Sequence, residues 1–128
     1  MKYGEIIRED GQLLLEMASI GSFDGFTLYI YGSEGPKPHF HLIKGNPKYP
    51  DFETCIEINT VKYFHHSGKE DVLTSKEKKR LIDFLNKENK HFSDKTNWQM
   101  LVVQWSMNNT NFQISSKTKM PDYTKLGV

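Results

Sequence analysis

Runs in which apolar and polar side chains alternate predict the central β-strands of this chain. The clearest run is Phe26–Tyr31, which is rich in aromatic and β-branched residues. His39–Ile43 resumes an extended pattern after a loop with two prolines and two glycines. Phe52–Ile58 follows, and its alternation is strict from Thr54 onward. These three segments predict neighbouring strands of one sheet.

Shorter runs bring the predicted sheet to about five strands. Tyr3–Ile7 and Leu13–Met17 are separated by acidic residues and a glycine, which is typical of a hairpin. Gly45–Asp51 contains two prolines and predicts a loop, and Phe112–Ile114 predicts one more short strand. The sheet is expected to be antiparallel or mixed.

Apolar residues at helical spacing predict two helices in the second half of the chain. Thr74 and Glu77 have the spacing of a capping box, which starts a helix from Ser75 to about Lys90. A second helix is predicted over Asn97–Met107. The apolar stripes of the two helices are Leu81, Ile82, Phe84 and Leu85 in the first, and Trp98, Leu101, Val102 and Trp105 in the second.

Composition places these elements in one α+β domain covering residues 1–128, with a frayed tail from about residue 115. The chain has 37% hydrophobic and 26% charged residues, and its 17 basic and 16 acidic side chains leave a net charge of +1. No global field therefore attracts nucleic acid or a membrane. The single cysteine, Cys55, and the absence of a signal peptide or a long apolar run favour a cytoplasmic protein without a membrane span.

Strand alternation also predicts a polar sheet face. His39 and His41 point to the same side of their strand, about 7 Å apart at their Cα atoms. If the three central strands pair with their apolar sides on the core, the opposite face collects Tyr29, Tyr31, His39, His41, Glu53, Cys55 and Glu57. The adjacent pair His65 and His66 can contribute only one member to that face.

Three interpretations of this face remain open. The histidines could be half-exposed structural residues that hydrogen-bond to a neighbouring carboxylate or tyrosine, in which case no cofactor is expected. They could instead carry out acid–base catalysis or bind a ligand. Alternatively, His39 and His41 could bind a divalent metal such as zinc together with Glu53 or Glu57.

Two other features bear on partners. The first predicted helix has a basic outer surface, but Glu77, Asp83 and Glu88 interrupt it, which disfavours nucleic-acid binding without excluding it. Trp98 and Trp105 are interpreted as core residues or as anchors of a protein interface.

The segment Pro36-Lys37-Pro38-His39-Phe40-His41-Leu42, followed by the Glu53–Ile58 strand and a lysine-rich helix leading to Trp98, resembles a bacterial family known as domain of unknown function 4160. The resemblance implies a small α+β protein encoded near toxin–antitoxin-like or mobile-element genes, with no established reaction. The leading hypothesis is thus a small binding or regulatory module with a protein partner, in a toxin–antitoxin or phage-defence setting. The alternatives are a metal-dependent hydrolase or nuclease using His39 and His41, and a nucleic-acid binder using the basic helix 76–90.

Overall fold

The computed structural model describes residues 6–7, 13–14, 17–32, 35–64 and 71–127, and these form an α+β fold, as predicted. None of the helices in these ranges is long and apolar enough to cross a membrane. The elements are β1 (Ile6–Ile7), β2 (Leu13–Leu14), β3 (Ala18–Phe23), β4 (Phe26–Ile30), β5 (His39–Asn46), β6 (Tyr49–Glu57), α1 (Ser75–Asn86) and α2 (Asn97–Asn108). Single 3₁₀ turns follow at Thr110–Phe112 and Tyr123–Lys125.

The main sheet has four antiparallel strands in the order β3-β4-β5-β6, rather than about five. Each strand pairs with its neighbour in sequence, so the sheet is a meander of hairpins. The predicted pairing of the first two runs is confirmed where the structure describes it, because β1 pairs antiparallel with β2 in a separate two-stranded sheet. The strand predicted at Phe112–Ile114 is wrong, since a 3₁₀ turn ends at Phe112 and the next two residues belong to no strand.

Turn chemistry explains two of the hairpins. Between β3 and β4, Asp24 and Gly25 both have positive φ, 48° and 85°, which is the conformation that a two-residue hairpin turn requires. Between β5 and β6 the predicted long loop is wrong, because only two residues separate the strands. There the side chain of Asn46 accepts a hydrogen bond from the Lys48 amide at 2.8 Å. Pro50 fits because β6 is an edge strand with a register shift opposite it.

One face of the sheet packs against both helices. In β4 the side chains of Phe26, Leu28 and Ile30 are buried while those between them are half-buried, as the alternation predicts. Leu81 and Leu85 of α1 are fully buried against this face. The same core also contains Phe40, Leu42, Ile56, Ile58, Trp98, Leu101, Val102 and Trp105. The spacing of apolar residues in each of these segments therefore predicted correctly which side chains face the core.

The helix boundaries follow from side-chain hydrogen bonds. The capping box of α1 is confirmed: the Thr74 hydroxyl accepts from the Glu77 amide at 3.1 Å, and the Glu77 carboxylate accepts from the Thr74 amide at 2.8 Å. The helix ends at Asn86 rather than Lys90, because the chain turns there to bury Asn89, which donates to the Ile20 carbonyl at 3.2 Å. α2 begins where predicted.

Two residues of the tail that the sequence predicts to be frayed belong to the main core, one at the start of the second 3₁₀ turn and one directly after it. Tyr123 and Leu126 are both fully buried in the main core. The Tyr123 hydroxyl donates to the Ile58 carbonyl at 2.6 Å, and burial raises the pKa of this phenol far above its ordinary value. Because the tail is mostly polar, its composition did not predict that these two side chains are buried.

Candidate functional site

The sheet register brings the predicted polar face together. Tyr29 of β4 pairs with His41 of β5, and His41 pairs in turn with Cys55 of β6. His39 pairs with Glu57 in the same way. Directly paired residues point to the same side of an antiparallel sheet, so these side chains share the face opposite the main core. At one end of this face the His39 ring lies 5.6 Å from the ring of Trp105 of α2 between centroids.

This face is buried, so the expectation of half-exposed histidines is wrong. His39, His41 and Cys55 are each 1% exposed, and Tyr31 is 2% exposed. The Tyr31 ring lies 4.2 Å from the His41 ring between centroids, and Phe64 stacks on His39 at 4.1 Å. Alternation predicts which side chains share a face, but it does not predict what covers them.

His41 makes the central contacts of the site. Its Nδ1 lies 3.3 Å from Oε2 of Glu53 and 3.2 Å from Sγ of Cys55. A neutral imidazole nitrogen carries either one hydrogen or one lone pair. The contact with an ionised carboxylate requires Nδ1–H to donate to Glu53, so Cys55 approaches the same donor from a second direction.

His41, Glu53 and Cys55 are also the one group in the described residues that could hold a metal ion with three side chains. Their ligand atoms all lie within 4.8 Å of one another, and Glu53 is half-buried while the other two are buried. Cys55 was not predicted as a ligand. Its position two residues after Glu53 on the same face was visible in the sequence, but its position opposite His41 depends on the strand register.

His39 lies beside this group without belonging to it. Its ring centroid is 5.3 Å from that of His41, and its Nδ1 is 2.8 Å from the Lys37 carbonyl oxygen. A carbonyl can only accept, so Nδ1 of His39 donates. The predicted metal pair of His39 and His41 is therefore close in space, but the three-residue group replaces His39 with Cys55. His65 and His66 lie outside the described residues.

The remaining candidates of the face have structural contacts. Glu57 accepts a hydrogen bond from the Thr60 hydroxyl at 2.8 Å, which closes the loop after β6. Tyr29 packs 6.2 Å from Tyr31 between ring centroids, and burial raises the pKa of the Tyr29 phenol against the opposing effect of a hydrogen bond with Thr27.

The tryptophans are core residues rather than exposed anchors. Trp98 is 7% exposed and Trp105 is fully buried. Their indole N–H groups donate to the carbonyls of Thr118 at 3.0 Å and Phe112 at 2.7 Å, so each fastens the chain that follows α2 onto the helix. An interface in this region must therefore use other side chains.

The outer surface of α2 supplies such side chains, and sequence reasoning missed it. Met107 is 60% exposed and Phe112 is 41% exposed. An open groove beside them is lined by Val103, Met107 and Ile114, with hydroxyl and amide side chains around it. The available signal was an absence of charge, because no Asp, Glu, Lys, Arg or His occurs from Thr96 to Ser116.

The basic surface of α1 is partly engaged within the protein. Arg80 lies 3.5 Å from an Asp24 carboxylate oxygen, and the Lys78 ammonium donates to the Leu126 carbonyl. Lys76, Lys79 and Lys87 remain exposed.

In comparisons with known proteins, no family model, curated protein or solved structure matches the chain.

Proposed function

We propose that this chain is a small binding or regulatory module that recognises a protein partner through the outer surface of α2. The observation that carries the proposal is the missing charge between Thr96 and Ser116, in a chain whose residues are 26% charged overall. Depletion of charged residues is the compositional signal that distinguishes the core of a protein interface from other surfaces.

The exposed side chains of this surface suit an apolar partner segment. Met107 and Phe112 are large and apolar, and both residue types are enriched at interfaces. The groove that Met107 lines also presents Val103 and Ile114, together with hydroxyl groups such as that of Ser106. A charged partner side chain would lose hydration here without gaining an opposite charge, so the expected occupant is an uncharged, largely apolar segment of another protein.

The setting of this partner is part of the same proposal. The resemblance of Pro36–Leu42 to domain of unknown function 4160 supports a bacterial, cytoplasmic module associated with toxin–antitoxin or phage-defence systems.

The two alternatives have weaker support. A metal-dependent hydrolase needs a coordination position that substrate can reach, whereas His41 and Cys55 are each only 1% exposed. A nucleic-acid binder needs basic side chains directed at phosphates, and two of those on α1 are engaged with Asp24 and Leu126.

Photo-crosslinking in the cells that naturally produce the chain tests the proposal. A photoreactive residue at position 107 should give a discrete adduct with one protein, which mass spectrometry then identifies. The same residue at Lys79, exposed on α1, is the matched control and should not give that adduct.

The identified protein, once purified, allows a quantitative test. Met107→Lys should raise the dissociation constant at least about tenfold, which is about 1.4 kcal/mol. Its melting temperature should stay nearly unchanged, because position 107 is largely exposed. The proposal is wrong if position 107 gives no adduct, if position 79 gives the same one, or if Met107→Lys binds as tightly as the natural chain.

A further inference from the structure

We propose that His41, Glu53 and Cys55 form a zinc-binding site within the sheet. The three residues lie on the sheet face opposite the main core, and none of them lines the α2 groove, so the two proposals are tested separately. Its role would be to join β5 to β6 rather than to bind substrate.

The distances fit a common ion. Zinc binds imidazole nitrogen and carboxylate oxygen at about 2.0 to 2.2 Å and thiolate sulfur at about 2.3 Å, so two ligands at the tetrahedral angle are about 3.3 to 3.6 Å apart. Nδ1 of His41 is 3.3 Å from Oε2 of Glu53 and 3.2 Å from Sγ of Cys55. These two distances are within a few tenths of an ångström of that spacing, and all three ligand atoms lie within 4.8 Å of one another.

The convergence of a carboxylate and a sulfur on one imidazole nitrogen also suits a bound ion. Nδ1 of His41 has one hydrogen at most, yet a carboxylate and a sulfur both approach it. A cation placed between the three atoms would attract all of them at once. On binding, the Cys55 thiol loses its proton to solvent, and the proton on the His41 ring moves from Nδ1 to Nε2.

Charge and ligand type select the metal. One thiolate, one carboxylate and one neutral imidazole carry two negative charges, which balance a divalent cation in a site where two of the ligands are 1% exposed. Thiolate and imidazole suit zinc, whereas magnesium and calcium prefer oxygen ligands alone. Three protein ligands leave the fourth tetrahedral position for a water molecule.

The strand register positions these ligands without any loop. His41 and Cys55 are directly paired across β5 and β6, and Glu53 lies two residues before Cys55 on the same face. An ion held here would link two adjacent strands through side chains that the ladder already orders, so little conformational entropy is lost on binding. Bound zinc should therefore raise the melting temperature of the whole domain.

Titration with cobalt and zinc tests the site directly. The full chain, purified without a histidine tag and treated with chelator, is titrated with CoCl₂ and then with ZnCl₂. About one Co²⁺ per chain should bind and give a thiolate-to-cobalt charge-transfer absorption, which zinc then abolishes. Cys55 is the only cysteine of the chain, so this absorption identifies it as a ligand without any mutation.

Variants then assign the other ligands. Glu53→Gln and His41→Gln should each weaken zinc binding at least about tenfold, since even residues that only orient ligands have effects of that size. Glu57→Gln is the matched control, because Glu57 lies on the same strand and face but contacts Thr60, and it should bind zinc like the natural chain.

Three results would overturn the proposal. They are the lack of a thiolate-to-cobalt absorption in the natural chain, a melting temperature that zinc does not raise, and equal losses of affinity in Glu53→Gln and Glu57→Gln. The first two need no variant to fold, and each would leave the cluster as a hydrogen-bonded group only.

Discussion

At the scale of single residues, Thr54 is a buried polar group with a measurable cost. Its side chain is fully buried on the core face of β6, and among the described residues its hydroxyl has no hydrogen-bond partner. A buried unsatisfied hydroxyl costs about 1 to 3 kcal/mol. Thr54→Val should therefore raise the free energy of unfolding by about 1 kcal/mol, as measured by urea denaturation.

Thr27→Val is the control for this prediction. The Thr27 hydroxyl lies 2.9 Å from that of Ser22, so its removal breaks a hydrogen bond and should not stabilise the fold. If Thr54→Val lowers stability by more than about 0.5 kcal/mol, the hydroxyl is satisfied and the interpretation is wrong.

Cys55 shows how far the sequence determines the candidate site. Cys55 lies in an alternating strand run, and its side chain is 1% exposed. The same alternation placed Glu53 and Cys55 on one face. What could not be predicted is the pairing of His41 with Cys55, because a shift of the strands by two residues preserves both faces and changes every partner.

At the scale of elements, α1 is held against the sheet by the apolar side chains that its helical spacing predicted to be buried. Leu81 and Leu85 are fully buried, and truncation of such leucines leaves a cavity. Leu81→Ala and Leu85→Ala should each lower the free energy of unfolding by about 2 to 5 kcal/mol in chemical denaturation. Lys79→Ala on the exposed side should change it by less than about 0.5 kcal/mol, and a similarly small effect of the leucine variants would contradict the assignment.

The ends of the helices were less predictable than their faces. Thr96 and Gln99 form a second capping box, which the same spacing rule could have found before α2. The end of α1 at Asn86 has no such local signal. It depends on two side-chain amides. That of Asn97 donates to the Phe84 carbonyl at 2.7 Å, and that of Asn89 donates to the side-chain oxygen of Asn97 at 3.0 Å. These contacts link residues that only the tertiary fold brings together.

At the scale of the whole molecule, the last residues complete the core. Tyr123 is fully buried, with its ring edge-on to Phe40 and Trp98 at centroid distances of 6.0 and 6.3 Å. Leu126 lies in the same core, and its carbonyl accepts from Lys78 of α1. The sequence could not predict that these residues are buried, because two apolar residues in a polar tail form no repeating pattern. Only the shape of the core shows where they fit.

Removal of this segment should therefore destabilise the entire domain. A chain that stops after Pro121 loses two buried side chains and the hydrogen bond to Ile58, and should unfold at a clearly lower urea concentration or fail to fold cooperatively. Tyr123→Phe isolates the hydrogen bond and should cost about 1 to 2 kcal/mol, since it leaves the Ile58 carbonyl buried without its donor. Lys125→Ala, exposed in the same 3₁₀ turn, is the control. A truncated chain as stable as the full one would mean that the tail only covers a core already complete without it.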